Sequence, residues 1–328
     1  MNPACLGRIT FEAAKLQREH PPRFKHAHKR LVFERAMASA EPRGTVTYSR
    51  WAECPLPAVM PEAAPHVTLR EDSFGYEPDE LPTVAWYLNF AHTILFVAYG
   101  GPLLAQDEQQ VLEHPALGSI REALVNPREP GLRPVTREDG HATPVLIAGV
   151  ERRCALATDV DLDAGRPLGL YGSRFAKAPA SAVLGALRVL DPPTQSNIVA
   201  MEAPPGGFGR YTRADIAQAL ATAHAGFAAV CAESAGMIPD ARVVVHTGHW
   251  GTGAYGGDRV LMAMVQLLAA RAAGVHAVVF HTVSPEGSPP VREALARIDR
   301  VTGATRDVRA TVDALDAMAF VWGASDGN

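Results

Sequence analysis

Cysteine is scarce and scattered. Cys5, Cys54, Cys154 and Cys231 stand far apart and form no C-x-x-C pair, which excludes the ligand spacing of a structural zinc site and the dense disulfide framework of a small secreted fold. Reduced thiols, and with them a cytoplasmic location, are the expectation. H-E-x-x-H and comparable metal spacings do not occur, nor do G-x-x-x-x-G-K-[ST] and G-x-G-x-x-G, which disfavours a zincin site, a P-loop and an ordinary dinucleotide fold. No metal and no cofactor are expected. Positive charge is not in excess either. The 31 Lys and Arg stand against 35 Asp and Glu, a formal charge of −4, so no direct nucleic-acid footprint is expected. Repeats at solenoid periods are absent, and Met1 to Ile9 holds no apolar stretch of the kind a signal peptide needs.

One run lacks charge altogether. Leu81 to Ala105 is long enough to span a bilayer. Asn89, His92 and Gly100-Gly101-Pro102 interrupt it, and its flanks are acidic: Asp79 and Glu80 before it, Asp107 and Glu108 after. A spanning helix carries Lys or Arg on its cytoplasmic side. The run reads as a buried strand, a loop and the start of a helix, with no membrane partner.

The 328 residues are 47 % hydrophobic, enough for a substantial core. Phe11 to Glu19 and Arg30 to Ala40 have helical composition. Around them, His20, Arg23, Lys25, His26, His28, Lys29 and Arg30 form a basic, histidine-rich patch that reads as a solvated face. Residues 1–43 are therefore an N-terminal helical accessory segment, and 44–328 the main domain. Within it, apolar strands near Val46, Val84 to Phe90, Val145 to Val150, Asn197 to Met201, Val243 to Val245 and Val275 to Val283 alternate with helices. That pattern implies a sheet covered on both faces, an α/β/α three-layer domain.

The sharpest local feature is Thr247-Gly248-His249-Trp250-Gly251-Thr252-Gly253-Ala254-Tyr255-Gly256-Gly257-Asp258, between a strand and an apolar helix. Its glycines let the backbone adopt positive φ and approach a ligand. Successive amide N–H groups beside a helix start then suit an anion. This run resembles the T-G-N-W-G-C-G-A-F-G-G-D loop of the poly(ADP-ribose) glycohydrolases, a branch of the macrodomain proteins. Gly44 to Arg50 resembles that family's G-x-V-T-F-x-R strand, Ile198 to Ala203 its I-V-A-I-D-A, and the helix ending His224-Ala225-Gly226-Phe227 its Y-x-G-F. The family's F-A-N, G-G-G and Q-E-E segments fall on Phe90-Ala91-His92, Phe96-Val97-Ala98 and Gln106-Asp107-Glu108.

The resemblance implies a macrodomain-like fold with a mixed central sheet and extra N-terminal helices. It implies an ADP-ribosyl glycohydrolase whose partner is ADP-ribose or an ADP-ribosylated substrate, poly- or mono-. It makes Glu108 the catalytic acid and base, with Asp107 beside it. Substrate contacts fall to Gln106, Phe90, Ala91, His92, Thr247, Gly248, His249, Gly251, Thr252, Gly253, Ala254, Tyr255 and Gly256. The family's two ligand-side asparagines are His92 and His249 here, and its tyrosine-rich adenine segment is replaced, leaving Tyr171 and Phe175 as candidate aromatics. Two other readings keep the same loop: a binding module that does not cleave, and a glycohydrolase for another NAD-derived nucleotide conjugate.

Overall fold

The structure is a computed structural model that describes residues 3–38, 40–77 and 82–327. Met1, Leu81 and two of the acidic flanks noted above, Asp79 and Glu80, lie outside the described residues. The strands are β1 (Cys5–Glu12), β2 (Thr45–Trp51), β3 (His66–Arg70), β4 (Thr83–Ala91), β5 (Arg137–Glu138), β6 (His141–Ala142), β7 (Val145–Leu156), β8 (Leu187–Glu202), β9 (Arg242–Thr247) and β10 (Ala277–His281). The helices are α1 (Ala13–Glu19), α2 (Ala27–Met37), α3 (Gln106–Glu113), α4 (Pro115–Ala123), α5 (Arg174–Lys177), α6 (Ala180–Ala186), α7 (Arg213–Met237), α8 (Arg259–Ala273), α9 (Ser288–Ala304) and α10 (Val308–Ala317).

Eight strands form one mixed sheet in the order β1-β2-β7-β8-β4-β9-β10-β3. From β8 to β3 every pairing is parallel, whereas β1, β2, β7 and β8 pair antiparallel. Strand β4 shows why the sheet is covered on both faces. Val84, Trp86 and Leu88 join one core with α7, α8, α9 and α10, while Ala85, Tyr87 and Ala91 join another with α1, α2, α3, α4 and α6. Each large apolar side chain buried this way stabilises by about 1.5–3 kcal/mol, so a two-sided apolar strand settles at the centre. The charge-free run beginning at Leu81 thus contains a central strand, and no described helix is long and apolar enough to cross a membrane.

Helix starts follow local chemistry. Thr212 accepts from Asp215 N to open α7, and Asp258 accepts from Leu261 N at 2.8 Å to open α8. Both satisfy amides that the first helical turn leaves unpaired.

The N-terminal segment corrects the reading in two ways. Besides two helices it supplies β1, which includes Phe11 and Glu12 and pairs with β2 as the sheet's edge. Its alternation is only half-buried, which gives a weak apolar signal. The basic patch is also not a uniformly solvated face: Lys29 is fully buried, and the His26 and His28 rings pack on Phe175.

The chain leading into α2 docks on the loop after β4. Lys25 N and His26 N both donate to Gly100 O, at 2.8 and 3.0 Å. A Cβ on Gly100 falls 2.3 Å from Arg23 O, whereas one on Gly101 falls 3.2 Å from Ala98 O. Overpacking of this kind costs about 1–3 kcal/mol. Urea unfolding should therefore show Gly100→Ala destabilised by that amount and Gly101→Ala by clearly less. Equal midpoints for the two variants would refute the docking constraint.

Candidate active site

The parallel strands direct their carboxyl ends to one edge of the domain, the place where open α/β sheets present ligand-binding loops. Phe90 and Ala91 of β4 lie beside Met201 and Glu202 of β8, with Thr247 ending the neighbouring β9. Helix α3 is tied to this edge by amide side chains. Gln106 accepts from Phe90 N at 2.8 Å and donates to Leu88 O at 2.9 Å, extending β4's hydrogen bonding onto the helix. Its amide is thereby committed to backbone. One turn on, Asn89, fully buried, donates to Asp107 Oδ1 at 3.0 Å and Gln110 Oε1 at 2.9 Å.

Two adjacent carboxylates are buried at the start of α3. Asp107 is 8 % exposed and Glu108 4 %, so they are not the solvated acids that commonly complement a helix N-terminus. Glu108 Oε2 accepts from Ala105 N at 2.9 Å. Burial raises the Asp107 carboxyl to about 7; the negative charge of Glu108 adds to the shift, and the Asn89 hydrogen bond and the charge of Lys29 oppose it. The Lys29 ammonium donates to Tyr99 O at 2.8 Å. Burial lowers its pKa to about 8, with Glu108 and Asp107 working in the other direction. Sequence patterning missed Lys29 and Asn89 as parts of this site, because charge and periodicity do not reveal which face of α2 turns inward.

Opposite α3 lies the glycine loop. Thr247, fully buried, shares a hydrogen bond with Gln266 of α8, and Gln266 Nε2 donates to Gly248 O at 3.1 Å. Gln266 is the polar interruption in an otherwise apolar helix stretch, a signal present in the sequence but not used. Trp250 is fully buried and donates to Met201 O. His249 bonds Gly287 O at 3.1 Å, and Thr252 Oγ1 donates to His249 O at 3.0 Å. Burial takes the His249 imidazole down to about 4, Arg259 adding to the shift and the Gly287 contact opposing it. Its role here is to tie the loop to the turn before α9. Among the described residues, no hydrogen bond takes the N–H groups of Gly253, Ala254 or Tyr255, so three successive donors are available to an anion.

The glycines serve close packing of the chain against itself as well as any ligand. A Cβ on Gly251 (φ +75°) meets Ala203 Cβ at 2.6 Å, one on Gly256 (φ +62°) meets Gly323 O at 2.6 Å, and one on Gly257 meets Gly251 O at 2.6 Å.

The remaining candidates divide. Phe90 packs near Gly248, Ala91 is buried, and His92 is exposed with Nδ1 accepting from Ile94 N at 3.0 Å. Phe96 has φ +53° and a fully buried ring: at a position aligned with a family glycine, it keeps a left-handed backbone and fills the core. Phe175, a candidate aromatic for a base, is fully buried against the two histidines and is excluded. Tyr171 is 41 % exposed. Burial raises its hydroxyl pKa, the Gln106 backbone opposes this, and the charges of Asp326 and Glu108 add to it, which brings it to the same junction. Tyr255 reaches Glu202 Oε1 at 3.3 Å. Glu202 is buried and also receives Thr93 Oγ1 at 2.6 Å and Arg137 Nε at 3.0 Å, a polar cluster that sequence reading did not assemble because Glu202, Thr93 and Arg137 come from three separate segments. His281 is buried and bonds Asp72, His246 is half-buried and bonds His281, and His276 is exposed and accepts from Val243 N.

Residues 188–287 match the family model described as Poly (ADP-ribose) glycohydrolase (PARG), Macro domain fold. The match runs from β8 through the glycine loop to Gly287 and does not include Asp107 and Glu108. Similar solved structures include the poly(ADP-ribose) glycohydrolase of Deinococcus radiodurans in complex with ADP-ribose, 15 % identical over 90 % of this chain and 95 % of that one, TM-score 0.44. Another is the poly(ADP-ribose) glycohydrolase of Thermomonospora curvata, 16 % identical over 88 % and 85 % of the two chains, TM-score 0.41. No curated protein matches the chain.

The raised Asp107 carboxyl has a measurable effect on stability. A carboxyl whose folded pKa is higher binds protons more tightly in the folded state, so its contribution falls as pH rises from about 4 to about 7 and is flat above. Asp107→Asn should flatten that slope, being stabilised relative to wild type by more than about 1 kcal/mol at pH 8 and by less at pH 5. Urea unfolding at both pH values measures this; a difference independent of pH would contradict the assignment.

Proposed function

Over residues 188–287 the chain is a divergent relative of the poly(ADP-ribose) glycohydrolases, and from that premise we propose that it hydrolyses the glycosidic bond at the distal ribose of an ADP-ribose conjugate. The observation that carries this reading is the buried carboxylate pair, Asp107 and Glu108, held by Asn89 and Ala105 at the sheet edge that also bears the glycine loop. The three amide donors of Gly253 to Tyr255 suit the diphosphate, whose seating fixes the ribose relative to α3.

In the proposed reaction Glu108 donates a proton to the oxygen leaving C1″ as the C1″–O bond breaks. It then takes a proton from the water that adds to C1″, so that the carboxyl returns to its starting state. Adjacent helical positions diverge by about 100°, so the pair does not flank the bond as two opposed glycosidase carboxyls do. Asp107 has the supporting role: its buried carboxyl, held by the Asn89 amide, packs beside Glu108 and does not itself reach the bond that breaks.

The binding-only reading has one observation in its favour, the Glu108 carboxylate's bond to Ala105 N, a capping role that needs no chemistry. Incubation with poly- and mono-ADP-ribosylated substrates, with released ADP-ribose followed by chromatography, separates the two. Glu108→Gln should lower kcat by about 10²–10⁴ with affinity for ADP-ribose unchanged, and Asp107→Asn should cost less. A wild type that binds ADP-ribose and releases none from either substrate is a reader. A Glu108→Gln variant as fast as wild type places the acid elsewhere.

A further inference from the structure

The segment after α10 returns to the glycine loop and lies along it. Tyr211 N bonds Phe320 O at 2.9 Å, and Trp322 stacks on Tyr211 with ring centres 3.8 Å apart and planes 16° from parallel. Trp322 N donates to Gly209 O at 2.8 Å, Gly323 N to Gly256 O at 2.7 Å, and Asp326 N to Gly253 O at 3.4 Å. The strap thus bonds carbonyls at both ends of the Gly253 to Gly256 stretch, whose amides from Gly253 to Tyr255 are the available donors. The Asp326 carboxylate comes within 3.0 Å of the position a Cβ on Gly253 would take. A carboxylate therefore sits at the edge of an array of donors suited to an anion.

The geometry points to Asp326 as a specificity-determining residue of this site: its carboxylate opposes any diphosphate entering at Gly253 to Tyr255, and a ligand seats only when the rest of its contacts outweigh that opposition. The inference rests on the proposed diphosphate role of the loop. Asp326 is exposed at the edge of the loop, so the repulsion between its carboxylate and a diphosphate is one that solvent reaches and salt weakens. The consequence is discrimination by size. A small anion such as free pyrophosphate has no further contacts with which to displace the strap, whereas a nucleotide conjugate that also engages the α3 side has them.

Calorimetry with inorganic pyrophosphate and with ADP-ribose, on the full chain at low and moderate salt, tests this. Asp326→Asn should bind pyrophosphate about tenfold more tightly at low salt, with a smaller gain at higher salt. Trp322→Ala, which removes the stacking that anchors the strap, should also gain affinity for pyrophosphate, with little salt dependence. Asp299→Asn on exposed α9 makes the same change in net charge and should leave both affinities unchanged. If Asp326→Asn, folded by circular dichroism, gains nothing for pyrophosphate, or binds either ligand more weakly, Asp326 does not oppose the anion and the inference is overturned. If it gains for pyrophosphate while no form of the protein binds ADP-ribose, the role of Asp326 stands and the ADP-ribose reading of the loop fails.

Discussion

The amide N–H groups of an asparagine buried in the middle of an apolar strand must find acceptors or destabilise the fold, and both acceptors for Asn89 are on α3. Leaving a buried polar group unbonded costs about 1–3 kcal/mol. The bonds from Asn89 to Asp107 and Gln110, joined by those of Gln106 to Leu88 and Phe90, fix the position and rotation of α3 against the sheet. Everything at the sheet edge depends on this clamp. It takes two carboxylates out of water at the first turn of a helix, at the sheet edge whose strand ends carry the glycine loop.

The electrostatics follow from that placement. Acids at a helix start are ordinarily solvent-facing; here both are buried, burial raises the Asp107 carboxyl, and Lys29, whose charge opposes that shift, donates to the Tyr99 carbonyl. Lys29 reaches that carbonyl because the chain before α2 clamps Gly100 O. The N-terminal segment is in this way part of the site's electrostatic setting, through a helix whose position is set by a glycine that admits no Cβ. On the other side, Glu202 with Arg137, Thr93 and Tyr255 forms a second buried polar group that holds the loop's aromatic residue to β8.

Much of this arrangement was legible in the residues. The two-sided apolar strand at 84–90, the glycine run and the apolar helix that follows it are local signals, since each depends on spacing or on chemistry within a few residues. Phe175 was not legible as core, because an aromatic in an irregular stretch has no periodicity to say which way it points; two histidines from α2 and its N-cap cover it. Strand β1 was hidden for a related reason. An edge strand buries only part of one face, and its identity rests on pairing with β2, which no local pattern records.

The sequence by itself determined the layered α/β architecture, the loop that joins β9 to α8, and the presence of adjacent acids where a helix begins, because these arise from short-range periodicity and backbone preference. The tertiary structure alone decided that those acids are dry, that Lys29 faces inward, that Glu202 meets Arg137, and that residues 321–327 lie across the glycine loop. The physical reason is that burial and charge proximity are properties of contacts between distant segments. A carboxylate at position 326 and a glycine at 253 have no relation along the chain until the fold sets one against the other.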